Sequence, residues 1–279
     1  MAEAVPRLAA AGVEGAARDA RVLMAHALGI GADRVVLVAG DALAPEAEAA
    51  FAAAVAARVA RQPVAQITGR RLFWGREFRV TRDVLDPRPE TETLIAAALE
   101  APFARVLDMG TGSGAILCTL LAERPGATGL GTDLSAAALT IARGNAEALG
   151  LGGRAEFVLS DWWADVAGQF DLIVSNPPYI AADEMADLAP EVRDWEPAMA
   201  LTPGGDGLDA YRAICAGAHA HLVPGGRLLL EIGPAQGAAV AALARAAGLG
   251  QVVVRPDMDG RDRVVCARRI GDFAPQGAD

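Results

Sequence analysis

The rhythm of apolar and polar positions changes near residue 87. Before about residue 68 the apolar residues recur at helical spacing. Val22, Leu23, Ala25 and Leu28 form one such stripe, closed by Gly29 or Gly31. A second helix is predicted over 41–61, with Pro45 near its start and Glu46 and Glu48 in its first turn, where carboxylates complement the helix dipole. No strand pattern of similar strength interrupts this region, so it predicts a small helical bundle. Gln62-Pro63 breaks the last helix, and a short connecting segment is expected after it. Leu72 to Val80 then places aromatic and β-branched residues around Gly75, the pattern of a β-hairpin. Val84 to Glu92 is extended through Pro87 and Pro89 and enters a helix near Thr91.

From there, short apolar runs alternate with helical stretches. Strands are expected over 105–109, 127–132, 155–159, 170–174 and 227–232, with helices over 115–123 and 135–149. A closing hairpin pairs 251–255 with 263–267 around Met258-Asp259-Gly260. This alternation predicts an α/β fold: a doubly wound, mostly parallel seven-stranded sheet with one antiparallel strand from the hairpin. Three parts are expected: a helical domain over 1–68, a linker with its hairpin over 69–86, and the α/β domain over 87–279.

Composition narrows the class. No uncharged apolar run is long enough to span a bilayer, and Glu3, Pro6 and Arg7 do not fit the layout of a signal peptide, which predicts a cytoplasmic protein. Cys118, Cys215 and Cys266 lie far apart in apolar surroundings, so core packing is expected rather than a disulfide. No metal site is expected from the cysteines or from His26, His219 and His221. The net charge of −10 argues against a protein that wraps bare duplex nucleic acid, where phosphate neutralisation dominates affinity. All 25 basic residues are arginine, and seven of them, from Arg58 to Arg82, share their stretch with the single acid Glu77. That stretch is either a solvated helix end and hairpin or a docking surface for an acidic or RNA-like partner.

Candidate chemistry gathers at strand ends. The run Phe170-Asp171-Leu172-Ile173-Val174 leads into Ser175-Asn176-Pro177-Pro178-Tyr179. Two prolines stop the strand ladder and hold Asn176 on a stiff turn at the carboxyl end of a strand, where open parallel sheets bind ligands. Upstream, Asp108-Met109-Gly110-Thr111-Gly112-Ser113-Gly114 occupies the first strand-to-helix turn, where glycines let the backbone approach a ligand closely.

A dinucleotide site is one reading of that turn. Gly110, Gly112 and Ala115 satisfy G-x-G-x-x-G/A, and Asp133 ends the second strand where a ribose-binding acid belongs. However, the Asp108 carboxylate would face a pyrophosphate of like charge, and hydride transfer gives Asn176 no task. S-adenosylmethionine, with its α-amino group and sulfonium, suits both features. Asp133 would accept from the ribose hydroxyls, and Ser160-Asp161-Trp162 would supply the adenine pocket, with Trp162 as its wall and Asp161 as acceptor for the exocyclic amine. The alternative is that Trp162 and Trp163 are core or rim packing, but a place at a strand end in the crevice favours the binding role for Trp162.

An amide nitrogen is a poor nucleophile because its lone pair is delocalised. Hydrogen-bond acceptors aimed at its two N–H groups both align it and stabilise the positive charge that develops on methylation. Asn176 offers a side-chain oxygen and Pro177 a carbonyl, Tyr179 can stack on a planar group, and no general base is needed beforehand. The constellation predicts methyl transfer to an amino or amide nitrogen.

At this point the chain resembles a known family. Asn176-Pro177-Pro178-Tyr179 is similar to the motif of amino-group methyltransferases, and Asp108 to Gly114 to their cofactor loop. Gln66-Ile67-Thr68-Gly69, Phe73-Trp74-Gly75, Pro87-Arg88-Pro89-Glu90-Thr91-Glu92, Glu196-Pro197, Gly204-Gly205-x-Gly207-Leu208 and Glu231-Ile232-Gly233 extend the match. In order and spacing these resemble the peptide chain release factor N5-glutamine methyltransferases along nearly the whole chain. The resemblance implies a Rossmann-like methyltransferase that methylates the glutamine of the Gly-Gly-Gln motif in class I release factors. It implies cofactor contacts from Gly110, Thr111, Gly112, Ser113, Gly114, Asp133, Trp162 and Asn176, to which the chemistry of the residues themselves adds Asp108 and Asp161. Catalysis falls to Asn176 and Pro177, and substrate binding to Asn176, Pro177, Pro178 and Tyr179. The helical domain would hold the release factor, with the enzyme a monomer that needs no direct nucleic-acid contact. Asp86 departs from the pattern, since an apolar residue usually precedes Pro-Arg-Pro. A ribosomal-protein glutamine methyltransferase would share the same catalytic residues, and a DNA or RNA amino-methyltransferase would want a recognition domain and a basic face.

Overall fold

The computed structural model describes residues 1–38 and 40–271. Helices α1 (Ala4–Ala10), α2 (Ala16–Leu28), α3 (Pro45–Val59) and α4 (Val64–Thr68), with a 3-10 segment over Ala32–Val38, pack around Leu8, Leu23 and Val55. Gly29 ends α2 in the left-handed conformation at φ 65°, and α3 opens on Pro45 with Glu46 and Glu48 in its first turn. The segment after Gln62 differs from expectation. Pro63 is not followed by a loop: it stands as the extended N-cap residue of α4, at φ −58° and ψ 139°, where its missing N–H costs no helical hydrogen bond.

Strands β1 (Arg70–Phe73) and β2 (Arg76–Arg79) form the hairpin. Its two-residue turn, Trp74-Gly75, has both φ values positive (48° and 71°), the geometry that matches the twist of a tight antiparallel ribbon.

The large sheet contains β3 (Arg105–Met109), β4 (Thr128–Asp133), β5 (Ala155–Leu159), β6 (Phe170–Ser175), β7 (Leu222–Glu231), β8 (Leu249–Pro256) and β9 (Asp262–Arg269), in the order β5-β4-β3-β6-β7-β9-β8. Among the described residues, β9 is the one strand of this sheet that runs opposite to the other six. Helices α5 (Glu92–Leu99), α6 (Ala115–Glu123) and α7 (Ala136–Ala148), the short α8 (Pro190–Arg193) and α9 (Ala198–Leu201), then α10 (Asp209–His221) and α11 (Gly237–Ala246) complete the chain. The central strands bury both faces. Val106, Leu172 and Val174 join one core cluster, while Leu107, Met109 and Ile173 join the other, as alternation along a strand requires. β7 begins at Leu222, earlier than its apolar run indicates, and the extra length is absorbed by a register irregularity between Phe170 and Leu172.

Strand order reverses between β3 and β6, and there Met109 pairs with Ser175. The buried Ser175 hydroxyl donates to the Met109 carbonyl at 2.6 Å. The glycine-rich turn after β3 and the proline-braced turn after β6 therefore leave the sheet side by side, at the switch point where such sheets open a crevice. No helix among the described residues is long and apolar enough to cross a membrane.

Candidate active site

The turn after β3 is shaped from within. Gly110, Gly112 and Gly114 all have positive φ (69°, 53° and 77°). A Cβ at Gly114 would also press on Ala142 of α7, 3.1 Å from its Cβ and 3.2 Å from its Cα. Asp108 is fully buried beneath this turn. Its Oδ2 accepts from the Thr111 hydroxyl at 2.6 Å and from the Leu117 amide at 3.3 Å, tying the turn to the start of α6. Its Oδ1 has no hydrogen-bond partner among the described residues. Burial pushes the Asp108 carboxyl up to about 7, even though both hydrogen bonds favour the anion. Asn145 of α7 braces the turn from the side. Its Nδ2 donates to the Ser113 carbonyl at 2.8 Å and its Oδ1 accepts from the Arg79 amide at 2.8 Å, so one amide holds both the turn and the hairpin.

Asp133 ends β4 and faces the same space. Its Oδ2 accepts from the Gly112 amide and its Oδ1 from the Ser135 amide, both at 2.9 Å. Burial raises its pKa against these backbone bonds. Each oxygen keeps a second lone pair for a ligand hydroxyl. After β5, the buried Ser160 hydroxyl donates to the Trp162 carbonyl at 2.9 Å and accepts from the Asp165 amide at 3.1 Å, holding Trp162 at φ 48°. The two tryptophans left open by the sequence now separate. Trp163 stacks on His221, 4.5 Å between ring centroids, and donates to the Ala213 carbonyl, whereas Trp162 lines the cleft.

One cleft of about 1100 Å³ gathers Gly110, Thr111, Gly112, Ser113, Asp133, Asp161, Trp162, Asn176 and Pro178. Asp108, Gly114, Pro177 and Tyr179 do not line it. Asp108 lies below its floor, Pro177 is buried within its turn, and Tyr179 leans on the core beside β7. Asn176 donates from Nδ2 to the Thr91 hydroxyl at 3.3 Å, which leaves its Oδ1 as an acceptor. The Gln236 side chain donates to the Tyr179 carbonyl at 2.9 Å. Gly207 packs directly against that carbonyl: at φ 76°, a Cβ there would sit 2.4 Å from the Tyr179 oxygen and 3.1 Å from the Ala181 nitrogen. Gly207→Ala is therefore expected to destabilise the protein by about 2–5 kcal/mol, from overpacking against backbone plus a left-handed alanine. Urea unfolding followed by circular dichroism measures this, and a midpoint equal to wild type would refute it.

Several cleft residues had no assigned role in the sequence. Arg88, Thr91, Pro197 and Met199 also line the cleft. Arg88 makes a two-pronged ion pair with Glu196 at 2.6 and 2.8 Å. Asp86 is buried behind it, 3.4 Å from Arg71, and burial raises its pKa against the pull of Arg71 and Arg88. The arginine stretch largely resolves into ion pairs. Arg58 pairs with Asp19 and Glu191, Arg61 with Glu191, Arg70 with Glu77, Arg71 with Asp86 and Arg76 with Glu123. Arg58 and Arg61, with the bonds of Gln66 to the Trp195 carbonyl and of Trp195 to the Ala60 carbonyl, attach the helical bundle to the segment that carries Glu196, Pro197 and Met199.

Three buried carboxyls share a titration window. Burial raises Asp108, Glu196 and Glu231 each to about 7. A carboxyl whose folded pKa exceeds its unfolded value holds a proton in the native state that the unfolded chain has released. Its stabilising contribution is complete below about 4 and is lost as pH rises through about 7. The unliganded protein is therefore expected to lose thermal stability between about pH 4 and pH 7. Scanning calorimetry across that range tests the sign, and a Tm that rises with pH would contradict it.

Comparison with known proteins agrees with this geometry. A family model described as the PrmC N-terminal domain matches residues 1–69, and one described as the methyltransferase small domain matches residues 83–206. A crystal structure of a methyltransferase from Pyrococcus furiosus superposes with a TM-score of 0.53 at 16% identity, covering 71% of this chain and 91% of that one. The fold is that of a Rossmann-like methyltransferase. At the level of sequence, the chain is 69% identical over 265 residues to a release factor glutamine methyltransferase of Cereibacter sphaeroides, covering 95% of each, and 48% identical to one of Rhodospirillum rubrum, covering 94% of this chain and 82% of that one. It belongs to the release factor glutamine methyltransferase family.

Proposed function

We propose that this enzyme transfers the methyl group of S-adenosylmethionine to the side-chain amide nitrogen of the glutamine in the Gly-Gly-Gln motif of class I release factors. The observation that carries this reading is the state of Asn176. With Nδ2 donating to Thr91, its Oδ1 is left as an acceptor on a residue that lines the cleft beside Gly112 and Asp133. A primary amide presents two N–H groups, and Asn176 Oδ1 and the Pro177 carbonyl would take one each. This pairing turns the nitrogen lone pair toward the cleft and stabilises the positive charge that develops there, after which a proton passes to water. Pro178, which lines the cleft, would border the substrate side chain, while Tyr179, packed against the core at the end of the same turn, would have to swing toward the cleft to stack on it.

The residues present fit the cofactor. Asp108 Oδ1 is buried without a partner among the described residues, and a cationic ammonium, directly or through one water, would satisfy it. The Gly110 to Gly114 turn, with Thr111 and Ser113, allows close backbone approach, Asp133 would take the ribose hydroxyls, and Asp161 and Trp162 would hold the adenine. When bound, S-adenosylmethionine supplies an electrophilic methyl group on a sulfonium.

Residues 1–68 would be the recognition domain for the release factor, 69–86 the linker with its hairpin, and 87–279 the catalytic domain of a cytoplasmic monomer. The test is side-by-side incubation of a release factor and a ribosomal protein with radiolabelled S-adenosylmethionine. Label on the release factor is expected. Label confined to the ribosomal protein would overturn the substrate assignment.

A further inference from the structure

The acceptor turn is fastened at its two ends. Pro177 and Pro178 have no backbone N–H with which to tie down the residues between. At the entry, the Ser175 hydroxyl donates to the Met109 carbonyl at 2.6 Å. At the exit, two distant segments meet on the Tyr179 carbonyl. Gln236, beyond the end of β7, donates to it from Nε2 at 2.9 Å. Gly207 packs against the same carbonyl and leaves that amide room, since a Cβ there would lie 3.1 Å from Gln236 Nε2. The next amide, that of Ile180, donates to the Leu201 carbonyl at 3.0 Å.

Backbone groups alone fix the polarity of the Gln236 amide. Its Oε1 accepts from the Gly233 amide at 3.0 Å while its Nε2 faces the Tyr179 carbonyl. A backbone N–H only donates and a carbonyl only accepts, so a flipped amide would meet two like partners and lose both bonds. The Tyr211 hydroxyl donates to the Glu231 carbonyl at 2.9 Å and reaches the same Oε1 at 3.3 Å, again as a donor. Gln236 is itself rooted in the sheet edge. Its own amide donates to the Gly233 carbonyl at 3.0 Å, and the Ile232 amide donates to the Arg263 carbonyl of β9 at 2.9 Å. The side chain does not cap α11, so starting that helix does not account for its reach to Tyr179, 57 residues away. We propose that Gln236 is a positioning residue for methyl transfer: by fixing the exit of the turn, it sets the aim of the Pro177 carbonyl and of Asn176 at the substrate N–H groups. It does not line the cleft and touches no reacting atom. The inference rests on the amide-methylation reading above and adds the device that holds its two acceptors in place.

Gln236→Met fills the space but can neither donate nor titrate, while Gln236→Glu makes the contact reversible. Protonated, the new carboxyl donates to Tyr179 and accepts from Gly233 as the amide does; ionised, it sets an oxygen against the Tyr179 carbonyl. For both variants the kcat for release-factor methylation at about pH 8 is expected to fall about tenfold or more, since a misplacement of about 1 Å at a reacting group costs up to about 10²-fold. KM for the release factor and affinity for S-adenosylhomocysteine should stay within about twofold. Relative to wild type, Gln236→Glu should regain at least about threefold in kcat at about pH 5.5, while Gln236→Met shows the same deficit at both pH values. The titratable groups around this junction, Tyr179, Tyr211, Glu231, Asp262 and Arg263, are common to all three enzymes. A kcat for Gln236→Met within about twofold of wild type would overturn the proposal. So would a Gln236→Glu deficit that does not ease at the lower pH, or a loss of kcat matched by an equal loss of S-adenosylhomocysteine affinity. Should Gln236→Met fail to fold, the pH response of Gln236→Glu decides alone.

Hydrogen exchange of the Ile180 backbone amide, followed by 15N NMR with the amides of β3 as reference, needs no substrate. It should be about tenfold faster in Gln236→Met than in wild type, with the β3 amides unchanged, because the bond to Leu201 opens once the turn is released. Equal exchange at Ile180 refutes the clamp whatever the enzyme methylates. Faster exchange in the variant, with a wild-type enzyme that labels no release factor, keeps the clamp and removes only the substrate assignment.

Discussion

Asn176→Ala is expected to lower the kcat of methyl transfer by about 10²–10³-fold, the range seen when one preorganised hydrogen-bonding group is removed from a developing charge. The reasoning runs from the fold. Met109 and Ser175 are paired across the switch point, so the acceptor turn and the glycine turn share one cleft, and Asn176 is the member of its turn whose polar side chain lines it. Its removal takes away one of two acceptors for the substrate N–H groups but leaves Asp133, the glycine turn and Trp162 in place. Affinity for S-adenosylhomocysteine should therefore stay within about tenfold by calorimetric titration, with the deficit confined to the chemical step. A variant retaining a tenth or more of wild-type kcat would show that Asn176 is not the principal acceptor.

Asp133→Ala should act on the other partner. The carboxylate is fastened by the Gly112 and Ser135 amides at 2.9 Å, so its remaining lone pairs are already aimed before any ligand arrives. Two hydrogen bonds from ribose hydroxyls to a charged, preorganised acceptor contribute about 1.5 kcal/mol or more each. Loss of both corresponds to about 10²-fold in Kd for S-adenosylhomocysteine. Isothermal titration calorimetry measures this directly. A Kd within about threefold of wild type would show that the ribose is not held at the end of β4.

The two halves of the cleft were legible in the sequence for different reasons. The glycine turn and the proline-braced turn are local: each follows a short apolar run, and each carries residues whose backbone constraints are visible without the fold. β3, α6 and β5 also have the boundaries their apolar runs indicate, because a glycine or a charge closes each on at least one side: Gly110 after β3, Gly114 and Arg124 around α6, and Arg154 before β5. What stayed hidden was every contact across distance. Thr91 meets Asn176 from 85 residues away, and Asn145 joins the hairpin to the glycine turn, yet a lone threonine or asparagine on a helix has no pattern that announces a partner. The burial of Asp108 beneath its turn was hidden in the same way, since a carboxylate beside three glycines reads as a ligand contact until the Thr111 hydroxyl and the Leu117 amide of α6 claim one of its oxygens. The arginines of 58–82 read as a free basic face because their acids, Asp19, Asp86, Glu123 and Glu191, lie outside that window.

The direct test of the central claim is the site of modification. A class I release factor purified without the modification, incubated with this enzyme and S-adenosylmethionine and then digested, should carry one methyl group on the side chain of its Gly-Gly-Gln glutamine by tandem mass spectrometry, with the wild-type enzyme but not with Asn176→Ala. A methyl group found on another residue, or none on that glutamine with the folded wild-type enzyme, would contradict the account.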